Sequence, residues 1–475
     1  MTVLVPFIVN AALNFVLGLL IAFFLGPAEF GRYAIGAAII VLINTALMDW
    51  LRLSAVRFYS LKTRDTEPEI RATLDLLVTG VSVTLCAILV AAIVAGVDTR
   101  MPTMMLAAAV LAGIGAGLFD YHGAIARARF LDAAYARLVI VKNVLALLLM
   151  VGGAWWTRDP TVVLLGGLLS IAVALISVRR RLADAPLSIR AARADLAWTF
   201  AKYALPIVAG NAIYSLIPLL NRSLLAGSQG FAEAGYFSLA SDMGLRLFGA
   251  LGATLEIVLL REVIRLDETR GRLAAQNRIA ANLVIVLAVA LPAAVGFGLA
   301  LPAFDRLLVP PSFRGAFSAY MAPLLPGFVA LAIFQAGLYP AFLLEKRTLV
   351  ATLAALAGLA ANLGVLAAFG GAPPGIYAWA QMSAFLVVLV VTGWAALRIL
   401  PVLPSLRDCG AVVLAVAAMA LAIWPLQNRL PALPELGLQV VLGALVYGGA
   451  LLAFDVARWR TLLKLWWVAR RSRRA

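Results

Sequence analysis

The chain is written as long apolar runs interrupted by short stretches rich in charge, Gly or Pro. A run of about 20 apolar residues is what a helix needs to cross a hydrocarbon core of about 30 Å, where every backbone N–H and C=O must be satisfied inside the segment. About fourteen such spans are predicted, at 4–25, 33–51, 73–97, 103–124, 138–157, 161–178, 203–227, 234–257, 280–301, 319–343, 349–369, 374–397, 409–427 and 435–454, joined mostly by short connections. The first run has no basic n-region and no small-residue cleavage site, so it reads as a retained span and not as a signal peptide. The expected fold class is therefore an all-α polytopic membrane protein.

One stretch stands apart from this pattern. Tyr203 to Gly227 reads as an apolar helix, Ser228 to Ala234 as a short polar loop, and the residues up to Asp242 as the start of a second apolar helix. On the first helix Asn211, Tyr214, Pro218 and the Asn221-Arg222 pair recur at spacings of three and four and share one face. On the second, Asp242 and Arg246 lie four apart in the acid-first order that favours pairing, and Arg246 is the deepest arginine of the chain. An arginine at a span's centre costs about 2.5 to 3.5 kcal/mol on insertion scales, so its presence calls for a compensating role. A guanidinium is a planar fork that matches phosphate oxygens, which makes Arg222 and Arg246 candidates for holding an anionic headgroup. The alternative is that Asp242 neutralises Arg246 while Arg222 snorkels to the surface.

Composition adds charge to the picture. The chain is 475 residues, 64% hydrophobic and 13% charged, with a net charge of +16. Placement explains the excess. With both termini cytoplasmic, the outer loops hold only Arg32, Arg100, Arg158, Arg306, Arg314 and Arg429, and the spans hold Arg222, Arg246 and, near an inner end, Lys142; the remaining Lys and Arg fall on inner loops and tails. This asymmetry is the positive-inside rule and sets orientation, so the basic balance does not point to nucleic acid.

An internal repeat organises the spans. Pro6 is echoed by Pro206, Gly31-Arg32-Tyr33 by Gly235-Tyr236, Phe119-Asp120 by Phe334-Gln335, and Asn143 with Gly152-Gly153-Ala154 by Asn362 with Gly370-Gly371-Ala372. Their common order predicts two six-helix bundles related by a parallel repeat, with a pseudo-twofold axis along the membrane normal, plus two extra C-terminal helices. The expected domains are an N-terminal lobe over 1–178, a basic amphipathic cytoplasmic linker over 179–202, a C-terminal lobe over 203–397, two added helices over 398–455, and a basic cytoplasmic tail over 456–475 that would adsorb to anionic lipid. The added helices read either as passive packing or as a path for a lipid tail.

Candidate chemistry is sparse. GK[ST], HExxH and GxSxG motifs are absent, so no enzyme activity is expected. His122 is the one histidine, and Cys86 and Cys409 lie in apolar segments without CxxC spacing, so neither a metal nor a cofactor is expected. Asp49 and Arg52, at i and i+3, and Asp120 near an inner helix end read as interfacial charges or as gate residues.

Leu25-Gly26-Pro27-Ala28-Glu29-Phe30-Gly31-Arg32-Tyr33 resembles the LGPxxFGxY segment of polysaccharide-repeat-unit flippases of the multidrug/oligosaccharidyl-lipid/polysaccharide exporter superfamily. Asn221-Arg222-Ser223-Leu224-Leu225, followed by Gly235-Tyr236 and Ala240, resembles that family's DRxLL…GxYxxA segment, and Asn362 with Gly370-Gly371 and Ala378 is similar to its eleventh and twelfth helices. The resemblance implies an O-antigen or exopolysaccharide flippase of the bacterial inner membrane, carrying undecaprenyl-pyrophosphate-linked oligosaccharide by alternating access. Membrane lipids would surround it, and polysaccharide polymerase and glycosyltransferases would be its partners. It further implies that Arg222 and Arg246 hold the pyrophosphate, with Asn221 and Asp242 beside them, while Asn211, Tyr214 and Asn14 bond the sugars. The chain carries Asn221 where the family often has Asp, so a carboxylate that would couple transport to protons or sodium is replaced there by an amide. A cation-coupled drug exporter of the same superfamily and a non-transporting scaffold of a glycan-assembly complex are the alternatives.

Overall fold

The structure, a computed structural model, describes residues 4–96, 101–183, 191–400 and 402–456, with side chains from Asn14 onward. Regular structure among these residues is entirely helical: α1 (Leu4–Ile43), α2 (Asp49–Phe58), α3 (Leu61–Thr66), α4 (Pro68–Val94), α5 (Thr103–Ala128), α6 (Asp132–Ala146), α7 (Gly152–Thr157), α8 (Pro160–Leu182), α9 (Ala194–Gln229), α10 (Phe231–Arg270), α11 (Arg272–Leu308), α12 (Ala316–Ala332), α13 (Tyr339–Leu344), α14 (Leu349–Ala368), α15 (Ile376–Ile399), α16 (Leu406–Ile423) and α17 (Ala432–Ala453). Three π-helical turns, Asn44–Met48, Leu147–Val151 and Ile333–Leu338, join α1 to α2, α6 to α7 and α12 to α13 without breaking the rods.

Among the described residues thirteen helices are long and apolar enough to cross a membrane, and the chain is a multi-pass membrane protein. The first of the thirteen, Asn14–Phe58, runs for 45 residues. A straight helix of that length spans about 68 Å, twice a hydrocarbon core. With the start of α1 at Leu4, the helical run holds two of the fourteen expected spans, and Gly26 divides them, with φ 72 and ψ 173 inside it. Without a Cβ, Gly26 adopts this left-handed conformation at little cost, and Pro27 starts the next turn with its fixed φ and no N–H to leave unsatisfied.

The eight-residue turn expected at Gly26 to Tyr33 is thus a one-residue break. The polar loop expected at Ser228 to Ala234 contracts in the same way to Gly230, at φ 93, between α9 and α10. In both places Gly and polar residues mimic a loop signal, while the backbone satisfies itself by resuming a helix at once. The segment 179–202 is also divided differently from a separate surface helix. Its first residues complete α8, Ala194 to Lys202 open α9, and 184–190 lie outside the described residues, as does the tail from 457 onward.

Backbone contacts divide the chain into two units, Val16–Ser238 and Met1–Phe15 with Leu239–Ala475. In the unit Val16–Ser238, α9 packs beside α2 and α4. Ser54 Oγ donates to the Phe200 carbonyl at 3.4 Å, the Arg193 N–H donates to Thr73 Oγ1 at 2.9 Å, and Phe200 is buried with Met48, Leu51, Tyr59, Leu74 and Tyr121. The helices that follow the two glycine breaks cross in this unit at Gly31 and Gly235, the pair matched in the repeat. A Cβ on Gly31 would enter the Phe231 carbonyl, and one on Gly235 would enter the Pro27 carbonyl. Here glycine is required by a backbone-to-backbone approach.

In the other unit α11 is the spine. The added pair α16 and α17 is fastened along it: Tyr447 Oη donates to the Ala288 carbonyl at 2.6 Å, Gln427 Nε2 to the Leu299 carbonyl at 2.7 Å, and Arg306 pairs with Glu435 at 2.9 Å. Val284, Val412, Val416 and Met419 fill the space between them. The pair is packed into the unit.

Candidate functional site

The polar side chains fall into separate constellations, and the unit Val16–Ser238 holds two ionic clusters among its helices. The π-turn Asn44–Met48 inserts a residue into the helical ladder just before α2 opens at Asp49. Asn44 Nδ2 donates to Asp120 Oδ2 at 2.9 Å, and Asp49 forms an ion pair with Arg52, as their spacing predicts. Arg52 and Lys142 are both within electrostatic reach of Asp120. Lys142 also donates to Asn143 Oδ1 at 3.2 Å and lies over the Phe119 ring. The three gate candidates Asp49, Arg52 and Asp120 are therefore brought together, with Lys142 as a fourth charged member. Thr45 Oγ1 bonds Ser215 Oγ at 3.3 Å, and Ser215 in turn bonds the Asn211 carbonyl, which ties the same π-turn to α9.

Arg222 and Asn221 belong to this unit as well. Asn221 is 0% and Arg222 3% exposed, and Arg222 Nη1 donates to the Ala34 carbonyl at 3.2 Å. Arg222 therefore lies inside the unit and clamps α9 to α1; it does not snorkel to its surface. Asn211 is exposed and Tyr214 half-buried on the same helix.

Arg246 lies in the other unit. Its guanidinium donates to the backbone carbonyl of Asn14, and Phe15 meets Phe304 edge-on at 6.4 Å, so the start of α1 is held to α10 and α11. Asp242 stands one turn before Arg246 on α10. The structure thus joins Arg246 to Asn14 and assigns Arg222 and Arg246 to different units. Elsewhere in this unit the buried polar groups are mostly amides and hydroxyls: Gln381 Nε2 donates to Ser241 Oγ at 3.0 Å, and Asn282 and Asn362 are buried.

A further ionic cluster was not expected. Arg71 is buried, pairs with Asp75 at 2.8 Å and lies between the rings of Tyr59 and Tyr121, while Tyr121 Oη donates to Asp75 Oδ1 at 2.7 Å. The i, i+4 spacing of Arg71 and Asp75 carried the signal, but Arg71 reads from sequence as one more cation of an inner loop. Lys142 already falls inside the expected span 138–157, close to its inner end, and passes for one more inner-side cation; α6 begins at Asp132 and carries it further into the helix.

No family model matches the chain, and no curated protein matches it. Solved structures do. The chain superposes on a structure of the lipid II flippase MurJ in an inward closed conformation with a TM-score of 0.74 and 14% identity, over 96% of this chain and 98% of that one. An inward-facing multidrug resistance MATE family transporter of the MOP superfamily matches with a TM-score of 0.55 and 14% identity, over 82% of this chain and 94% of that one. At these identities the likeness establishes the fold, and it is a fold found in transporters of the MOP superfamily.

Proposed function

We propose that the protein is a MOP-type transporter that flips a lipid-linked, pyrophosphate-headed oligosaccharide, a repeat unit of surface polysaccharide, across the bacterial inner membrane. The observation that carries this reading is the near end-to-end superposition on a lipid II flippase, which includes the last two helices and extends further along the chain than the match to the drug exporter. The deep charge of the unit Met1–Phe15 with Leu239–Ala475 also favours an anionic cargo. Arg246 has five N–H donors and gives one hydrogen bond to a carbonyl, which carries no formal charge to cancel it.

In this reading Arg246 is the main pyrophosphate contact. Arg222, with Asn221 beside it, holds α9 on α1, and Asn14, next to Arg246, bonds a sugar hydroxyl. Asp49, Arg52 and Asp120 form a gate whose ion pairs rearrange during the cycle. Protein abundance separates the two arginines. Arg246→Ala should remove surface glycan while protein abundance stays at the wild-type level, since the loss of a charge-assisted contact of about 1.5–3 kcal/mol slows transport by about tenfold or more. Arg222→Ala should lower abundance as well as glycan, and Arg222→Lys should restore part of both. Wild-type glycan in Arg246→Ala would refute the assignment.

A further inference from the structure

A cation-lined cavity lies in the unit Val16–Ser238, at the end where α5 and α8 carry their arginines. It has a volume of about 230 Å³ and is lined by Arg71 from α4, His122 from α5, and Leu175, Ile176, Arg179 and Leu182 from α8. Three helices converge on it. Arg179 to Arg181 at the end of α8 would by themselves be explained by the helix dipole, which favours cations at a C-terminus. Arg71 and His122 come from other helices, and the dipole of α8 does not account for them.

The surroundings add positive charge. Arg129 Nη1 is fixed on the Leu182 carbonyl at 3.2 Å, beside the cavity wall, and Asp75 is the carboxylate paired with Arg71. His122 gives its Nδ1 proton to the Leu118 carbonyl at 2.8 Å, which leaves Nε2 as the edge able to meet a ligand. The volume is below the roughly 300–1,000 Å³ of sites that enclose a whole small molecule, so the cavity suits a headgroup. Leu169, Val173 and Ile176, spaced four and three apart on α8, are exposed and run away from it as an apolar strip.

We propose that this cavity binds the phosphate ester of an anionic phospholipid, with Arg179 and Arg71 facing the phosphate and an acyl chain lying along Leu169, Val173 and Ile176. The bound lipid would join α4, α5 and α8 at a point just before the chain passes into α9. The site is separate from the residues assigned to transported cargo and does not depend on that assignment. Free phosphate shares the headgroup chemistry but gains nothing from the apolar strip.

The test is native mass spectrometry of the full-length protein in mild detergent, titrated with phosphatidylglycerol, with phosphatidylcholine of the same acyl chains, and with inorganic phosphate. One phosphatidylglycerol should be retained in preference to phosphatidylcholine. Arg179→Gln should weaken that retention by about fivefold, the worth of one cation near a lipid surface, while the exposed Arg347→Gln leaves it unchanged. Adding His122→Gln should weaken it further. Arg179 is exposed, so its variant should melt at the wild-type temperature. Equal retention of the two lipids, equal effects of Arg179→Gln and Arg347→Gln, or displacement of the lipid by inorganic phosphate at comparable concentration would each overturn the proposal.

Discussion

The two units solve the same problem, polar groups within apolar helices, in different ways. The unit Val16–Ser238 holds charges among its helices and partners them internally: Asp49 pairs with Arg52, Arg71 pairs with Asp75 under two tyrosine rings, and Asp120 accepts from the neutral Asn44 amide. The unit Met1–Phe15 with Leu239–Ala475 uses neutral pairs such as Gln381 with Ser241, and its ion pairs, such as exposed Arg306 with buried Glu435, stand at helix ends. The contrast separates structural charge from charge available for function. In the ionic unit the cations held among the helices, Arg52, Arg71 and Arg222, already have carboxylate or carbonyl partners, so a substitution there should first cost stability. In the neutral unit Arg246 should lose transport while the fold persists.

This contrast can be broken by measuring the stability of variants in each unit. The largest effect is expected for Asp75→Ala, which leaves both the Arg71 guanidinium and the buried Tyr121 hydroxyl without their carboxylate. A loss of about 2–4 kcal/mol should appear in denaturant unfolding of the purified protein. Arg306→Gln should cost less, about 1–3 kcal/mol, because Glu435 is 0% exposed but keeps its bond from the Asn428 N–H at 3.1 Å. Heat or denaturant unfolding would show whether α16 and α17 loosen first. Gln381→Leu should cost only about 1 kcal/mol, in line with neutral hydrogen bonds between membrane helices. If Gln381→Leu proved more damaging than Asp75→Ala, the division between an ionic and a neutral unit would fail.

How much of this was legible in the sequence depends on the range of each interaction. The spans follow from hydropathy because a helix in lipid must be apolar over a fixed length. Gly31 and Gly235 were matched as a repeat, and the structure gives the physical reason, since the two backbones touch at those positions. Asp49 with Arg52 is a local pair and was readable. The break at Gly26 was legible as punctuation but not as a single residue, because a Gly-Pro cluster reads the same in a long loop and in a kink. Asn44 with Asp120, Arg306 with Glu435 and the hold of Arg246 on the Asn14 carbonyl join positions far apart in the chain. No spacing rule reveals them. Arg222 shows a different limit: a polar face on a helix does not say whether that face meets a cargo or, as here, the Ala34 carbonyl of another helix.

The most direct measurement is a flipping assay on the purified protein in proteoliposomes that carry a fluorescent polyprenyl-pyrophosphoryl oligosaccharide, with bleaching of the outer leaflet as the readout. Wild-type protein should move the labelled lipid between leaflets well above the protein-free rate, and Arg246→Ala, reconstituted at equal density, should not. A wild-type rate equal to that of empty vesicles, or an Arg246→Ala rate equal to wild type, would contradict the account.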